Sequence, residues 1–339
     1  MPPRRCLAIC FIWVASAFAG SGDARADGPC TIGTVVGNPK VFCEDGGPAT
    51  AATLFGASRI ARDSAGNLFI ADSGNHRVRR ISPAGIISTY AGNGSAVFSG
   101  DGGLATEAGL PSPRWMAIGP DNKLYVLSRS RIRKIRTDAV IDTVARTGQE
   151  GSSVDGGLGL AVDSSGVIYF SSSGGSLHWG IRRVRLDGSI ETFAGPGGIV
   201  EANDLRPHSL AVAPDDSVYF FDQSTRRVRR VTLEGVLEDV AGNGGIGALR
   251  DGPALETPLY FPGALAFDAA GDLLMADHGA IRRVREGRLE TVHVAPYILD
   301  FLPEPDGGST VLDEFDRVSR ITREGAVEHV AGFNAGPSR

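Results

Sequence analysis

An arginine-studded apolar heptad, NHRVRRI at residues 75–81, returns along the chain as SRIRKI, WGIRRV, RRVRRV, AIRRV and RVSRI. The last apolar residues of these stripes, Ile81, Ile135, Val184, Val231, Val284 and Ile321, are separated by 54, 49, 47, 53 and 37 residues. Self-similarity at such a period marks a propeller or solenoid, because one unit cannot bury its own apolar surface and must stack on a neighbour. Ahead of each stripe stands IARDSAGNLFIAD, MAIGPDNKLYVLS, LAVDSSGVIYFSS, LAVAPDDSVYFFD, LAFDAAGDLLMAD or FLPEPDGGSTVLD. Each reads as a strand, a two-residue turn and a second strand. After each stripe a polar turn leads into IISTYAGNG, VIDTVARTG, SIETFAGPG, VLEDVAGNG, RLETVHVAP or AVEHVAGFN. Four strands per repeat, here lettered A to D with the arginine stripe as C, make a propeller blade. The expected fold is therefore all-β, a six-bladed β-propeller of four-stranded antiparallel blades.

The repeats fall at about 31–81, 86–135, 140–184, 189–231, 236–284 and 288–321, with a closing strand at 326–332. A D-like segment at 31–39 precedes the first A strand, so either 31–37 or 326–332 completes the last blade. The connections between repeats echo one another as EDGGPATAATL, GDGGLATEAGL, VDGGLGL and RDGPALETPL, read as a tight turn and short helical cap on one face of the ring. Asp45, Asp101, Asp155 and Asp251 in these loops suit turn chemistry better than calcium, because one loop recurs in several blades.

At the N-terminus, Arg4 and Arg5 precede an apolar run from Cys6 to Ala19 and the small-residue segments AFA and ARA. This pattern predicts a signal peptide over 1–26, cut after Ala26 or after Ala19, and a mature domain of 27–339 that is secreted or periplasmic. No other run of about 18 apolar residues suggests a membrane span. Cys6 and Cys10 leave with the leader, and the remaining pair, Cys30 and Cys43, is expected to form one disulfide in an oxidising compartment. Loss of Arg4, Arg5, Arg25 and Asp23 takes the formal charge of −5 to −7, which argues against nucleic-acid binding.

The string AGNLFIADSGNHRVRRISPAGIISTYAGNG followed by SGDGGLATEAGL resembles NHL repeats, with Asn75-His76-Arg77 standing at the Asn-His-Leu signature. The resemblance spans roughly 31–334 and is similar in character to secreted bacterial NHL proteins and the NHL domain of teneurins. ANDLRP replaces the DGG loop in the fourth repeat, and Ser319 replaces an arginine in the sixth. The family implies a six-bladed propeller and no single function.

A propeller explains the stripes. Each blade is covered on both faces, so strand C must pack on either side, and arginine offers a long apolar stem with a fork of donors. Arg80, Lys134, Arg183, Arg230, Arg283 and Arg320 are expected to fill the space between blades, with Asp72, Asp222, Asp277 and Glu314 as candidate partners. Chemistry should then lie where the blades differ. The starts of the A strands give two rings of unlike residues: Ser58, Arg114, Leu158, His208, Gly263, Leu299, and Arg59, Trp115, Gly159, Ser209, Ala264, Asp300. Arg59, Arg114, Trp115, His208 and Asp300 form a candidate channel-mouth site for a polar or anionic ligand. Arg129, Arg131, His178 and Trp179, in irregular B-to-C turns, are candidate partner contacts.

The resemblance also reaches enzymes, namely peptide-amidating lyases and the gluconolactonase and strictosidine-synthase-like groups, which generally use a channel metal. Of the six histidines only His208 stands at the matching place, and with Asp300 alone it makes no convincing metal set. No G-x-S-x-G elbow or phosphate-cradling loop occurs. The expectation is a non-catalytic, monomeric scaffold for a protein, peptide or glycan partner, without a cofactor; the alternative is a channel-mouth lyase or lactonase-like hydrolase that holds a divalent metal.

Overall fold

Strand B shows no polar alternation in any repeat. Leu68–Asp72, Leu124–Ser128, Ile168–Ser172, Val218–Asp222 and Leu273–Asp277 are buried along their whole length, and Ser309–Asp313 at all but its last residue. Such strands need cover on both faces. The computed structural model, which describes residues 45–147, 158–172, 179–295 and 297–332, supplies that cover by arranging six antiparallel sheets in a ring. The leader, Cys30, Cys43, the 31–39 segment, Asp155 and His178 lie outside the described residues. Among the described residues no helix is long and apolar enough to cross a membrane.

Each sheet has the order A-B-C-D and is built from one contiguous stretch, from Ala57–Arg62 through Ile87–Ala91 in blade 1 to Ile298–Pro303 through Val327–Ala331 in blade 6. The segment Val327–Ala331 is thus the outer strand of the last blade, paired with Val318–Ile321. Strand A of each blade contacts strand A of the next, and Ile298–Pro303 returns to Ala57–Arg62 to close the circle.

The A–B turns differ from the expected two-residue form. Asp63 N–H bonds Asn67 O and Gly66 N–H bonds Asp63 O, which makes a three-residue loop. The third loop residue has positive φ in all six blades: Gly66, Asn122, Gly166, Asp216, Gly271 and Gly307. Glycine, Asn and Asp are the residues that tolerate this conformation, which explains why the tips vary among them.

Six apolar clusters occupy the six gaps between blades. At the closing gap, Leu312, Val318 and Ala331 of blade 6 meet Ile60, Leu68, Ile70 and Ile81 of blade 1. Each fully buried Leu or Ile there contributes about 1.5–3 kcal/mol, so hydrophobic packing closes the ring, and among the described residues all four strands of the last blade come from one stretch.

The arginine rows are structural, but the buried member is one residue earlier than expected. Arg79, Arg133 and Arg282 are 0%, 1% and 0% exposed. Arg79 pairs with Asp45 at 3.1 Å, and Arg133 pairs with Asp101 at 2.6 Å and donates to Gly109 O at 3.0 Å. Arg282 lies 3.6 Å from Asp277 and donates to Arg250 O. By contrast Lys134, Arg183, Arg230 and Arg283 are half-buried and pair inside their own blades, with Asp121, Glu191, Glu238 and Glu290 at 2.5–3.1 Å. Arg320 pairs with Asp306 and Glu328 of its own blade, and Arg80 is half-buried. Neighbouring strand residues face opposite sides of the sheet, and the face covered by the Asp-Gly loop is the one that is desolvated. The described loops, at Asp45, Asp101 and Asp251, do more than cap a face of the ring. They turn onto the outer strand of the following blade, where Gly103–Leu104 and Gly252–Pro253 add fifth strands and Pro48 bridges Ile86.

Asp72, Asp222 and Asp277 clamp the entry to strand A of their own blade. They accept the N–H groups of Phe55 (2.9 Å), Arg206 (3.1 Å), and Tyr260 and Phe261 (3.0 and 2.8 Å). Asp222 also reaches Arg229 at 3.2 Å. Glu314 takes no such part; Asp313 pairs with Arg317 at 2.7 Å instead.

Candidate functional site

The six A strands surround the axis, and in four of them the register slips just where the blades differ. The breaks lie between Ala57 and Ile60, Pro113 and Trp115, His208 and Leu210, and Ile298 and Asp300. A bulge inserts an extra residue and re-aims its neighbours. In these four strands it turns Arg59, Trp115, Ser209 and Asp300 toward an axial cavity of about 210 Å³, which Ala264 of the unbulged fifth A strand also lines. That is below the roughly 300–1,000 Å³ of usual small-molecule sites.

Arg59 bridges the top of this cavity. Its guanidinium carbon lies 3.7 Å from the Trp115 ring centroid. It donates to Ser58 O at 2.8 Å, Leu299 O at 3.2 Å and Gly263 O at 3.0 Å, so one side chain ties blades 1, 5 and 6 together. The Asp300 carboxylate accepts Ile60 N–H at 2.8 Å, and burial raises its pKa to about 6 against the opposing field of Arg59. Burial in turn lowers the pKa of Arg59, with Asp300 working the other way.

His208 joins from the first ring. Its imidazole meets Phe261 edge-on at 4.7 Å and Trp115 at 6.0 Å, and its Nδ1 lies 2.8 Å from Ser209 Oγ. Burial, then the nearby Arg59 charge, pushes its pKa down to about 4, so the ring is neutral at pH 7. Ser209 has φ +55 and bonds Gly263 O at 2.7 Å and Pro262 O at 3.2 Å. Ser58 makes the same kind of bond to Arg114 O at 3.0 Å.

The structure therefore brings Arg59, Trp115, His208 and Asp300 together, whereas the Arg114 side chain is exposed. Arg129 is exposed in the B–C turn of blade 2 with φ +48. Arg131 stacks on Phe98 at 4.6 Å, and Trp179 is half-buried 5.8 Å from the Arg206 guanidinium carbon. Phe261 was not singled out by the sequence, and Ser209 stood only as a member of the second ring; a mismatch between the A strands and a strict period of two was the available signal. Among the described residues no three His, Cys, Asp or Glu side chains gather as a metal site would require.

Residues 56–81 match the NHL repeat family. The chain is 27% identical to zebrafish (Danio rerio) teneurin-3 over 226 residues, 55% of this chain and 8% of that protein. Among solved structures it resembles a streptogramin B lyase (TM-score 0.55, 14% identity, covering 86% of this chain and 87% of that one). It also resembles the gluconolactonase XC5397 of Xanthomonas campestris (TM-score 0.55, 14% identity, 82% and 87%). A third likeness is to a chain of the nidogen/laminin complex (TM-score 0.53, 14% identity, 76% and 89%). At such identities these structures share the fold.

Proposed function

Starting from a six-bladed β-propeller that carries an NHL repeat, we propose that this chain is an exported, monomeric, non-catalytic scaffold that binds a protein, peptide or glycan partner through its loops. The supporting observation is that the channel-mouth groups are spent on the backbone of the ring. Three donors of Arg59 go to backbone carbonyls, Asp300 holds a backbone N–H, and Ser209 bonds two carbonyls. Catalysis needs a nucleophile or base aimed at a space where a reacting atom can sit, and here those groups are aimed at the fold. Domains of this architecture also take part in assemblies, as the nidogen/laminin complex illustrates.

The second reading, a channel-mouth lyase or lactonase-like hydrolase, draws on the cavity lined by Asp300 and Ser209, with His208 bonded to Ser209 behind it, and on the likeness to the lyase and gluconolactonase. If a divalent metal takes part, Asp300 and His208 are the ligands this reading would assign to it. The two readings separate in one set of measurements. The purified mature chain is used as bait on the exported fraction, alongside His208→Ala and a variant carrying Arg129→Glu with Trp179→Ala, and trace metal is assayed. The scaffold reading expects the same partner with wild type and His208→Ala, and its loss with the loop variant. One tightly held divalent ion per chain, with stability lost on chelation, would favour the enzyme.

A further inference from the structure

Strand directions place the starts of strands A and C and the ends of B and D at the same end of every sheet. The loops joining them form one face around the channel mouth, and that face has two halves. Over blades 5, 6 and 1 it carries four large exposed aromatic side chains: Tyr260 (46%), Tyr297 (57%), Phe315 (55%) and Phe55 (56%). Tyr260 stacks with His278 at 4.4 Å, and Tyr297 meets Phe315 edge-on at 5.3 Å. Asp316, beside Phe315, accepts the N–H of Gly56, beside Phe55, at 2.9 Å, so the aromatic arc crosses the seam of the ring. Phe55 lies over Gly74, where a Cβ would stand 2.2 Å from the ring.

Over blades 2 to 4 the same face carries arginine. Arg114, Arg129 and Arg206 are exposed, and none forms an ion pair with a described residue. Arg131 and Arg146 sit opposite each other at the end of the blade 2 sheet. Among the described residues the exposed acids of these loops include Glu107, Glu201, Asp204, Glu256 and Glu314; Asp72, Asp222, Asp277 and Asp316 are occupied by backbone N–H groups. A chain of net charge −5 thus presents the exposed guanidinium groups of Arg114, Arg129 and Arg206 on the same face as exposed aromatic rings. Aromatic residues and arginine are the types enriched where protein partners bury surface.

We infer that this face docks an acidic segment of a partner protein laid across the channel mouth. Its carboxylates meet Arg114, Arg129 and Arg206, and its apolar side chains cover Tyr260, Tyr297, Phe315 and Phe55. This rests on the scaffold reading and names the chemistry of the partner. A nucleic acid would ask for a basic surface along its whole path, which the aromatic half and Glu314 interrupt. Two of the four rings are phenylalanines without a hydrogen-bonding group, which suits apolar side chains better than sugar hydroxyls.

The test is selection of a phage-displayed random 12-residue peptide library on the mature chain, followed by affinity measurement on the enriched peptides. The expected sequences carry net negative charge together with aromatic or branched aliphatic residues. Their affinity should fall at least tenfold with Arg114→Glu/Arg129→Glu/Arg206→Glu, and at least tenfold with Tyr297→Ser/Phe315→Ser, while the corresponding triple lysine variant keeps most of it. Unfolding midpoints of the variants close to wild type establish that they fold. Enrichment without acidic bias, no enrichment, or binding unchanged by both sets of substitutions overturns the inference. So does a polyanionic polysaccharide that competes fully and ignores the aromatic substitutions. An exported partner captured by wild type and by both variants would overturn this face while leaving the scaffold reading in place.

Discussion

Arg133 and Lys134 are adjacent in one stripe, yet their environments differ because one side chain lies under the Asp101 loop and the other faces a half-open edge. Arg133→Ala removes buried donors to Asp101 and Gly109 O and should cost about 2–3 kcal/mol in urea unfolding. Lys134→Ala loses a pair with Asp121 in which both side chains are partly exposed and should cost under about 1 kcal/mol. Equal losses would show that the buried row is not what secures the blade. The pH response of the channel mouth follows from two opposed shifts. The folded pKa of Asp300, about 6, lies above its unfolded value near 3.9, so its contribution is full below about pH 4 and is lost as pH rises through 6. His208, pushed down to about 4 from near 6.5, contributes fully above about pH 6.5 and loses that contribution as pH falls through 4. Asp300→Asn keeps an acceptor for Ile60 N–H but cannot ionise. Its stability relative to wild type should improve by about 2 kcal/mol between pH 4 and pH 7. His208→Gln should move the other way, improving relative to wild type toward pH 4. Melts of both variants at the two pH values check the signs.

Outer strands differ in whether a connection covers them. Gly103–Leu104 pairs with Val140–Arg146 and Gly252–Pro253 with Arg288–Val294, whereas Val327–Ala331 has no partner on its outer side among the described residues. An uncovered edge leaves backbone groups open to water. Hydrogen exchange should therefore be slower in 140–146 and 288–294 than in 327–331, and the reverse order would mean that the fifth strands do not form. These covering pieces were legible as repeated Asp-Gly loops, but their position was not. The loops read as caps on a face because sequence spacing carries the turn and not the direction in which the chain leaves it. The A–B tips show the same limit: a Gly, Asn or Asp marks the left-handed residue, while the three-residue length depends on which backbone pair closes the loop.

At the scale of the whole ring, the joint between blades 6 and 1 is, among the described residues, made by contacts between segments far apart in the chain. Asp316 accepts the N–H groups of Gly56 and Ala57, Asp300 takes Ile60 N–H, and Arg62 pairs with Glu304 at 2.8 Å over the shared apolar cluster. Asp316 has φ +61, so Asp316→Gly removes both acceptors without backbone strain. The expected loss is about 2 kcal/mol, with limited proteolysis beginning in 298–331. If the first cuts fall elsewhere and stability is unchanged, the seam is not the weak joint.

Six repeats of one strand pattern determined six blades, because a unit of that size must bury both faces against copies of itself, and that much is readable from spacing alone. Which of two neighbouring residues is buried was decided only by tertiary structure. Arg79 against Arg80, and the Arg59 ring against the His208 ring, are equivalent in type and differ by a single step in strands whose side chains alternate. The bulges in strand A and the loops folded over strand C break that equivalence. Desolvation, which gives Arg133, Asp300 and His208 their character, comes from distant segments closing over them rather than from any residue beside them in the chain.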